Sequence, residues 1–212
     1  MRKLQLLVVV IAVLLLASVS HAKDVYTIRI NGAINPPIVG FIENSLDKAV
    51  KNDAEALVII LDTPGGLDSS MREIIKGILD SPVPVVVYVA PPGARAASAG
   101  AIILLASHIA AMAPGTNVGA AHPVSIGKEK ADEVMSKKVV NDAEAYSKSI
   151  AAKRGRNVEF AGKAVTESIS ITANEALAKK VIDVVADTTD DLLAKIDGRT
   201  VETRKGVVTL HT

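Results

Sequence analysis

Two stretches, EALVIILDTPGG (residues 55–66) and PVPVVVYVAPPG (residues 82–93), are apolar at nearly every position and then stop on proline and glycine. A strand with one wet face alternates apolar and polar residues, whereas a short run with no polar face must be covered on both sides. Two such runs, each followed by a breaker, therefore predict buried strands of a largely parallel sheet. The segments between and around them carry the helical period that such a sheet needs. LDSSMREIIKGILDS repeats through Met71, Ile74, Ile75 and Ile78, and PPIVGFIENSLDKAVKNDA places Ile38, Phe41, Ile42, Leu46 and Val50 on one stripe. DVYTIRINGAI alternates as a strand from Val25 to about Ile30, with a turn at Asn31 and Gly32. Downstream, AASAGAIILLASH reads as a helix, IAAMAP and TNVGA as short extended pieces, and KEKADEVMSKKVVNDAEAYSKSIAAKRGRN as one long helical segment. Short helices follow, one opened by a capping box from Thr172 to Glu175, together with a strand at VIDVVA and a closing hairpin in RTVETRKGVVTLHT. The expected fold class is α/β, a mainly parallel sheet with flanking helices.

The 212 residues suffice for one domain with a short appendage. That appendage is residues 1–22: MRK is a positive start, Leu6 to Ala17 is a 12-residue apolar run, and Ser20 and Ala22 offer small residues for cleavage. It reads as a signal peptide or an N-terminal membrane anchor, leaving residues 23–212 as the folded domain, outside the cytoplasm, secreted or anchored. Without Arg2 and Lys3 the net charge moves from +1 to −1, so nucleic acid is not an expected partner. Aromatic residues at 2% leave no stacking platform for single strands. The absence of cysteine excludes disulfides, a thiol nucleophile and thiolate metal sites. No metal-ligand spacing is present, so neither metal nor cofactor is expected.

Two places invite chemistry. DTPGG (Asp62 to Gly66) ends a strand just before a helix, the edge where open α/β sheets bind ligands. Its glycines allow close backbone approach and can direct N–H groups at a developing oxyanion, although the pattern also fits an ordinary turn. Neither GxGxxG nor GxxxxGK[ST] occurs there. In PPGARAASAG, Ser98 stands at the next strand-to-helix junction, where it reads either as a helix N-cap or as an exposed nucleophile with the amide of Ala99 beside it. Such a serine needs a base. His21 and His211 lie near the chain ends, and His108 would be nearly three turns from Ser98 on the same helix. His122 remains a candidate. So do Lys137 and Lys138, since a lysine desolvated by neighbours such as Val134, Met135, Val139 and Val140 can act as a base.

Taken in order, DTPGG, PPGARAASAG and MAPGTNVGAAHP resemble the N-terminal protease domain of the NfeD family, membrane-associated partners of stomatin-like proteins. The likeness spans most of residues 24–190 and implies a ClpP/crotonase-like fold, related to signal peptide peptidase A. It implies Ser98 as nucleophile, Lys138 as base with Lys137 as its adjacent rival, and the amides of Gly66 and Ala99 as the oxyanion hole. Asp62, Pro64 and Gly65 would shape the first loop, and Pro64, Gly65, Leu67, Gly119 and His122 would border the substrate cleft. The implied activity is a serine endopeptidase acting on hydrophobic polypeptide segments, including that of a stomatin-like membrane protein, in a homodimer or larger homo-oligomer. Full-length members of that family continue into transmembrane helices and an OB-fold domain. Two other readings stay open: a non-catalytic scaffold binding hydrophobic peptides beside the membrane, and an acyl-CoA hydratase or lyase on the same fold.

Overall fold

The computed structural model describes residues 23–124 and 133–212; the N-terminal segment and the polar stretch before the long helix lie outside them. Five strands form one parallel sheet in the order β1 (Val25–Asn31), β2 (Ala56–Asp62), β3 (Val85–Val89), β5 (Ile109–Met112) and β8 (Val184–Val185). Every residue of β3 is buried, and in β2 only Asp62 is not, as expected of runs without a polar face. Alternate residues feed two cores. Leu57, Ile59, Leu61, Val85, Val87 and Val89 face one side, where α1 (Pro36–Lys51), α2 (Asp68–Leu79) and α3 (Ala99–Ala106) pack. Val58, Ile60, Val86 and Tyr88 face the other, under α7 (Thr189–Ile196) and Leu210. This is the ClpP/crotonase-like α/β architecture that the resemblance implied.

The buried face of α2 is the predicted one: Met71, Ile74, Ile75 and Ile78. That of α1 is rotated from the expected stripe, running through Val39, Ile42, Leu46 and Ala49 and leaving Phe41 and Val50 exposed. The Asn35 side chain accepts a hydrogen bond from the Ile38 amide and caps the first turn. Strands β4 (Arg95–Ala96), β6 (Asn117–Gly119) and β7 (Ser170–Thr172) make a small second sheet, and β9 (Thr200–Thr203) pairs with β10 (Gly206–Thr209) as the terminal hairpin. Helix α4 (Glu133–Lys153) docks against α5 (Val158–Thr166), and α6 (Ala173–Ala178) opens with the Thr172–Glu175 capping box.

Helix α3 is buried at every residue, so its carbonyl end cannot rely on water. Arginines replace it. Arg156 Nη1 donates to Leu105 O (2.7 Å) and Ser107 O (2.8 Å), Arg154 Nε donates to Ala106 O (2.7 Å), and Arg156 Nη2 pairs with Asp183. His108 lies just past this end, and its Nδ1 accepts the Val85 amide. Burial and the charges of Arg154 and Arg156 push the His108 imidazole down from 6.5 to about 3. Between those values the unfolded chain holds a proton that the folded chain excludes, so stability falls as pH drops through that window. From pH 7.5 to 5 this single group should remove about 2 kcal/mol. Denaturant titrations across that range should show the slope in the native chain and a shallower one in His108→Gln; equal slopes would exonerate His108.

Candidate active site

Three loops converge at the carboxyl ends of β2 and β3. Thr63 N donates to Arg95 O (2.8 Å), Ala97 N to Thr63 O (3.1 Å), and Ser98 N to Ala120 O (2.6 Å). The segments DTPGG, PPGARAASAG and MAPGTNVGAAHP are thus hydrogen-bonded to one another in space. Asp62 takes part as well, because its carboxylate accepts the Arg95 amide (3.1 Å). The Arg95 side chain itself is exposed.

Ser98 precedes α3 in the position of an N-cap but does not cap it: its side chain makes no capping hydrogen bond. Its backbone sits at φ 52° and ψ −120°, a region costly for any residue with a Cβ, by about 1–3 kcal/mol. The strain is held by the 2.6 Å bond from its amide to Ala120 and by the turn that Gly100 N closes on Ala97 O (2.8 Å). Among the described residues its hydroxyl has no partner, and the amides of Gly66 and Ala99 donate to no carbonyl or side chain. Ala99 is the first residue of α3, where an amide has no intrahelical acceptor and the helix dipole is positive.

The small residues around Ser98 are there for space. A Cβ on Gly65, which has φ 115°, would fall 2.5 Å from Ser98 Cβ. One on Gly66 would fall 2.0 Å from Ile34 O, so its amide is fixed by a backbone that admits no side chain. The loop is pinned further by Ile34 N donating to Gly65 O (2.8 Å), Leu67 N to Ile34 O (2.9 Å) and Gly65 N to Thr63 Oγ1 (3.0 Å).

Ser98, Ala99, Gly66 and Leu67 line one cavity of about 220 Å³, together with Met71, Ile102, Val124 and Val139. The four apolar side chains come from α2, α3, the loop after β6 and α4, too far apart in sequence for any local pattern to reveal. Of the other expected cleft residues, Pro64 is exposed on the first loop, and Gly119 is buried in β6, where a Cβ would lie 2.3 Å from Ile169 O. His122 borders a neighbouring apolar pocket of about 200 Å³ with Pro123, Met135 and Val139. Its Nδ1 donates to Val165 O (2.8 Å), so that nitrogen is committed to structure.

The two lysines part company. Lys137 pairs with Glu133 (2.9 Å) on the exposed surface of α4. Lys138 borders a pocket that shares Asp68, Pro123, Val139 and Ala143 with the Ser98 cavity. The apolar cover expected around it is open here: Met135 and Val139 are 55% and 47% exposed, and the buried residues of α4 begin only at Ala143. Arg72 ties this part of α4 to α2. It pairs with Asp68 (2.7 Å) and with Asp142, one turn beyond Lys138, and lies 4.2 Å from the centre of the Tyr146 ring. Burial lowers the Arg72 guanidinium and the two carboxylates more than reverse this, leaving it raised. Among the described residues no cluster of His, Cys, Asp or Glu side chains is placed to hold a metal ion, and no helix is long and apolar enough to cross a membrane.

Residues 24–207 match the family model described as NfeD1b, N-terminal domain. The membrane-bound protease PH1510 of Pyrococcus horikoshii is 41% identical over 197 residues, which cover 92% of this chain and 44% of that protein. Membrane protein NfeD1b of Bacillus subtilis is 33% identical over 114 residues, covering 54% of this chain and 25% of that one. The chain therefore spans less than half the length of the curated relatives it matches. Among solved structures, the 1510-N membrane-bound stomatin-specific protease superposes in two mutant forms, each at 39% identity. A serine-to-alanine mutant gives a TM-score of 0.83, covering 89% of this chain and 93% of that one. A lysine-to-alanine mutant in complex with a substrate peptide also gives 0.83, covering 90% and 89%.

Proposed function

Because this chain belongs to the NfeD1b N-terminal-domain family, we propose that it is a serine endopeptidase with a Ser98–Lys138 dyad. The observation that carries the reading is Ser98 itself: a strained serine whose hydroxyl is uncommitted, set among two amides with no acceptor. Serine and lysine mutants of the 1510-N protease, the latter with a substrate peptide bound, support the pairing of residue types.

In this mechanism the neutral amine of Lys138 takes the Ser98 hydroxyl proton as Oγ attacks the scissile carbonyl. The tetrahedral oxyanion accepts hydrogen bonds from the Gly66 and Ala99 amides, which are already in place and need no reorganisation. Collapse breaks the C–N bond, and Lys138, now an ammonium, protonates the departing amine. Water then attacks the acyl ester while Lys138 takes its proton, and Ser98 Oγ recovers a proton as the acid leaves.

Lys138 is exposed in the substrate-free protein. An apolar peptide lying along Met71, Ile102, Val124 and Val139 would cover it and exclude water, which favours the neutral amine. Substrate is in this way part of the base's environment. The same apolar wall supports hydrophobic polypeptide segments as substrates, with a stomatin-like membrane protein as the natural one. Residues 1–22 are proposed to carry the domain out of the cytoplasm as a signal peptide or membrane anchor, and the domain is proposed to work as a homodimer or larger assembly.

A quenched peptide containing an apolar run should be hydrolysed, and a version with that run replaced by serine and glycine should not. Mass spectrometry of acid-quenched turnover should find the acyl group on the tryptic fragment containing Ser98. Turnover with that fragment unmodified, and without an initial burst, would argue against covalent catalysis.

A further inference from the structure

At the opposite end of α3 from Ser98, about 12 Å along the helix, lies a second cavity of about 490 Å³. Its wall is made by His108, by Lys153 and Arg154 at the end of α4, by Asp183, and by Thr200 to Arg204 of the terminal hairpin. It shares no residue with the Ser98 cavity. The mechanism above uses none of these groups.

Two features set this wall apart. The first is a set of donors without acceptors. His108 is 8% exposed, and its Nδ1 accepts the Val85 amide (3.1 Å). The proton of the neutral ring must then sit on Nε2, which is buried and has no partner. Arg154 is in the same position: Nε is bonded to Ala106 O and Nη1 reaches Glu202 O, while Nη2 is buried and unpartnered. Buried donors are nearly always satisfied, so an acceptor is missing from both.

The second feature is an excess of positive charge, four cations against the carboxylates of Asp183, Glu202 and Asp80. Lys153, Arg154 and Arg204 line the cavity, with Arg156 directly behind it. Of the acids, Asp183 is already engaged by Arg156 Nη2 and the Ala110 amide, and the exposed Glu202 is the remaining carboxylate on the wall. Arg204 has a partner in Asp80 on the surface. Burial and the charge of Arg156 pull the Arg154 guanidinium down to about 10, and burial with both arginines depresses His108. An anion in the cavity would oppose both trends, as Glu202 already does for Arg154.

We propose that this cavity binds a small oxyanion of the phosphate class, attracted by Lys153 and Arg154, and that a side-chain shift on binding uncovers His108 Nε2–H and Arg154 Nη2 as its donors. A water could accept from both donors but would leave the charge; an oxyanion brings acceptors and negative charge together. The source is a soluble phosphate or the phosphate of a lipid headgroup, and the two are separable by experiment.

The test is a titration of the whole chain with inorganic phosphate, at ionic strength held constant with sodium chloride, following the His108 ring resonances by NMR. A saturable shift is expected, with Kd rising about tenfold or more in Arg154→Met. Because Arg154 also caps α3, that variant can lose its fold, so Lys153→Gln serves as the second: its side chain is exposed, and Kd should rise severalfold. Lys137→Gln, a cation elsewhere on α4, should leave Kd unchanged. No saturable shift, or equal weakening by Lys137→Gln and Lys153→Gln, would overturn the site. Co-sedimentation with phosphatidylglycerol vesicles that is lost in Lys153→Gln would assign the oxyanion to a headgroup; retained or absent co-sedimentation beside a saturable phosphate shift would assign it to a soluble ligand.

Discussion

Replacing Ser98 with alanine is expected to lower kcat for peptide hydrolysis by about 10,000-fold or more, with apolar peptides still bound. The size follows from what the substitution removes. Without Oγ there is no acyl-enzyme, and the remaining groups can only polarise a carbonyl toward water. The amides of Gly66 and Ala99 stay where they are, because each is set by backbone: Gly66 by its contact with Ile34, Ala99 by the start of α3. Residual turnover should therefore exceed the uncatalysed rate, as expected when the oxyanion hole outlives its nucleophile. Stability should change by no more than about 0.5 kcal/mol, since the hydroxyl caps nothing and alanine bears the same φ penalty. Ser98→Gly should be inactive too, but stabilised relative to Ser98→Ala, as glycine occupies φ 52° without strain. The measurements are single-turnover kinetics, peptide binding by fluorescence anisotropy and denaturant unfolding. A Ser98→Ala enzyme retaining a tenth of native kcat would remove Ser98 from the mechanism.

Lys138→Ala should reduce kcat by about 100- to 10,000-fold, the range of general base catalysis, while Lys137→Ala should stay within about twofold of native. Adjacent helical residues point about 100° apart, so only one of these side chains can face the cleft. Lys138 borders the pocket joined to the Ser98 cavity through Pro123, Val139 and Ala143, and Lys137 turns to Glu133 on the solvent side. Both variants should fold normally, because neither ammonium is buried. Assays at saturating peptide separate a kcat loss from weakened binding. The reverse ranking of the two variants would move the base to Lys137 and would require α4 to rotate when substrate binds.

The layout of the sheet was legible in the sequence because it depends on short-range periodicity. Runs such as ALVIILD and VVVYV can only be satisfied between two apolar layers, and Met71, Ile74, Ile75 and Ile78 predict a helix with one buried face. On α1 the period was visible but its phase was not. Phe41 and Val50 fit the stripe by hydropathy, yet the fit of Val39 and Ala49 against the core put those residues inside instead. The cationic cavity was hidden for a similar reason. His108, Lys153 and Arg204 are ordinary in a linear reading, and become a cluster only when the hairpin folds under the end of α3.

The α/β sheet and the two glycine-bearing loops at its carboxyl edge, with Ser98 in the second of them, were readable from the residues alone. Local pattern is enough for these, since strand burial, helix period and turn chemistry act over a few residues. Only folding shows that Ser98 is a strained, uncapped hydroxyl, that the Gly66 amide lining the same cavity lacks an acceptor, and that Lys138 borders the adjoining pocket while Lys137 pairs with Glu133. The strained Ser98, the Gly66 loop and the seat of α4 depend on hydrogen bonds and contacts between residues 20 to 70 positions apart, such as Ser98 N to Ala120 O and Arg72 to Asp142. Sequence-local rules carry no information at that range. The geometry of a loop is set by whichever distant backbone holds it.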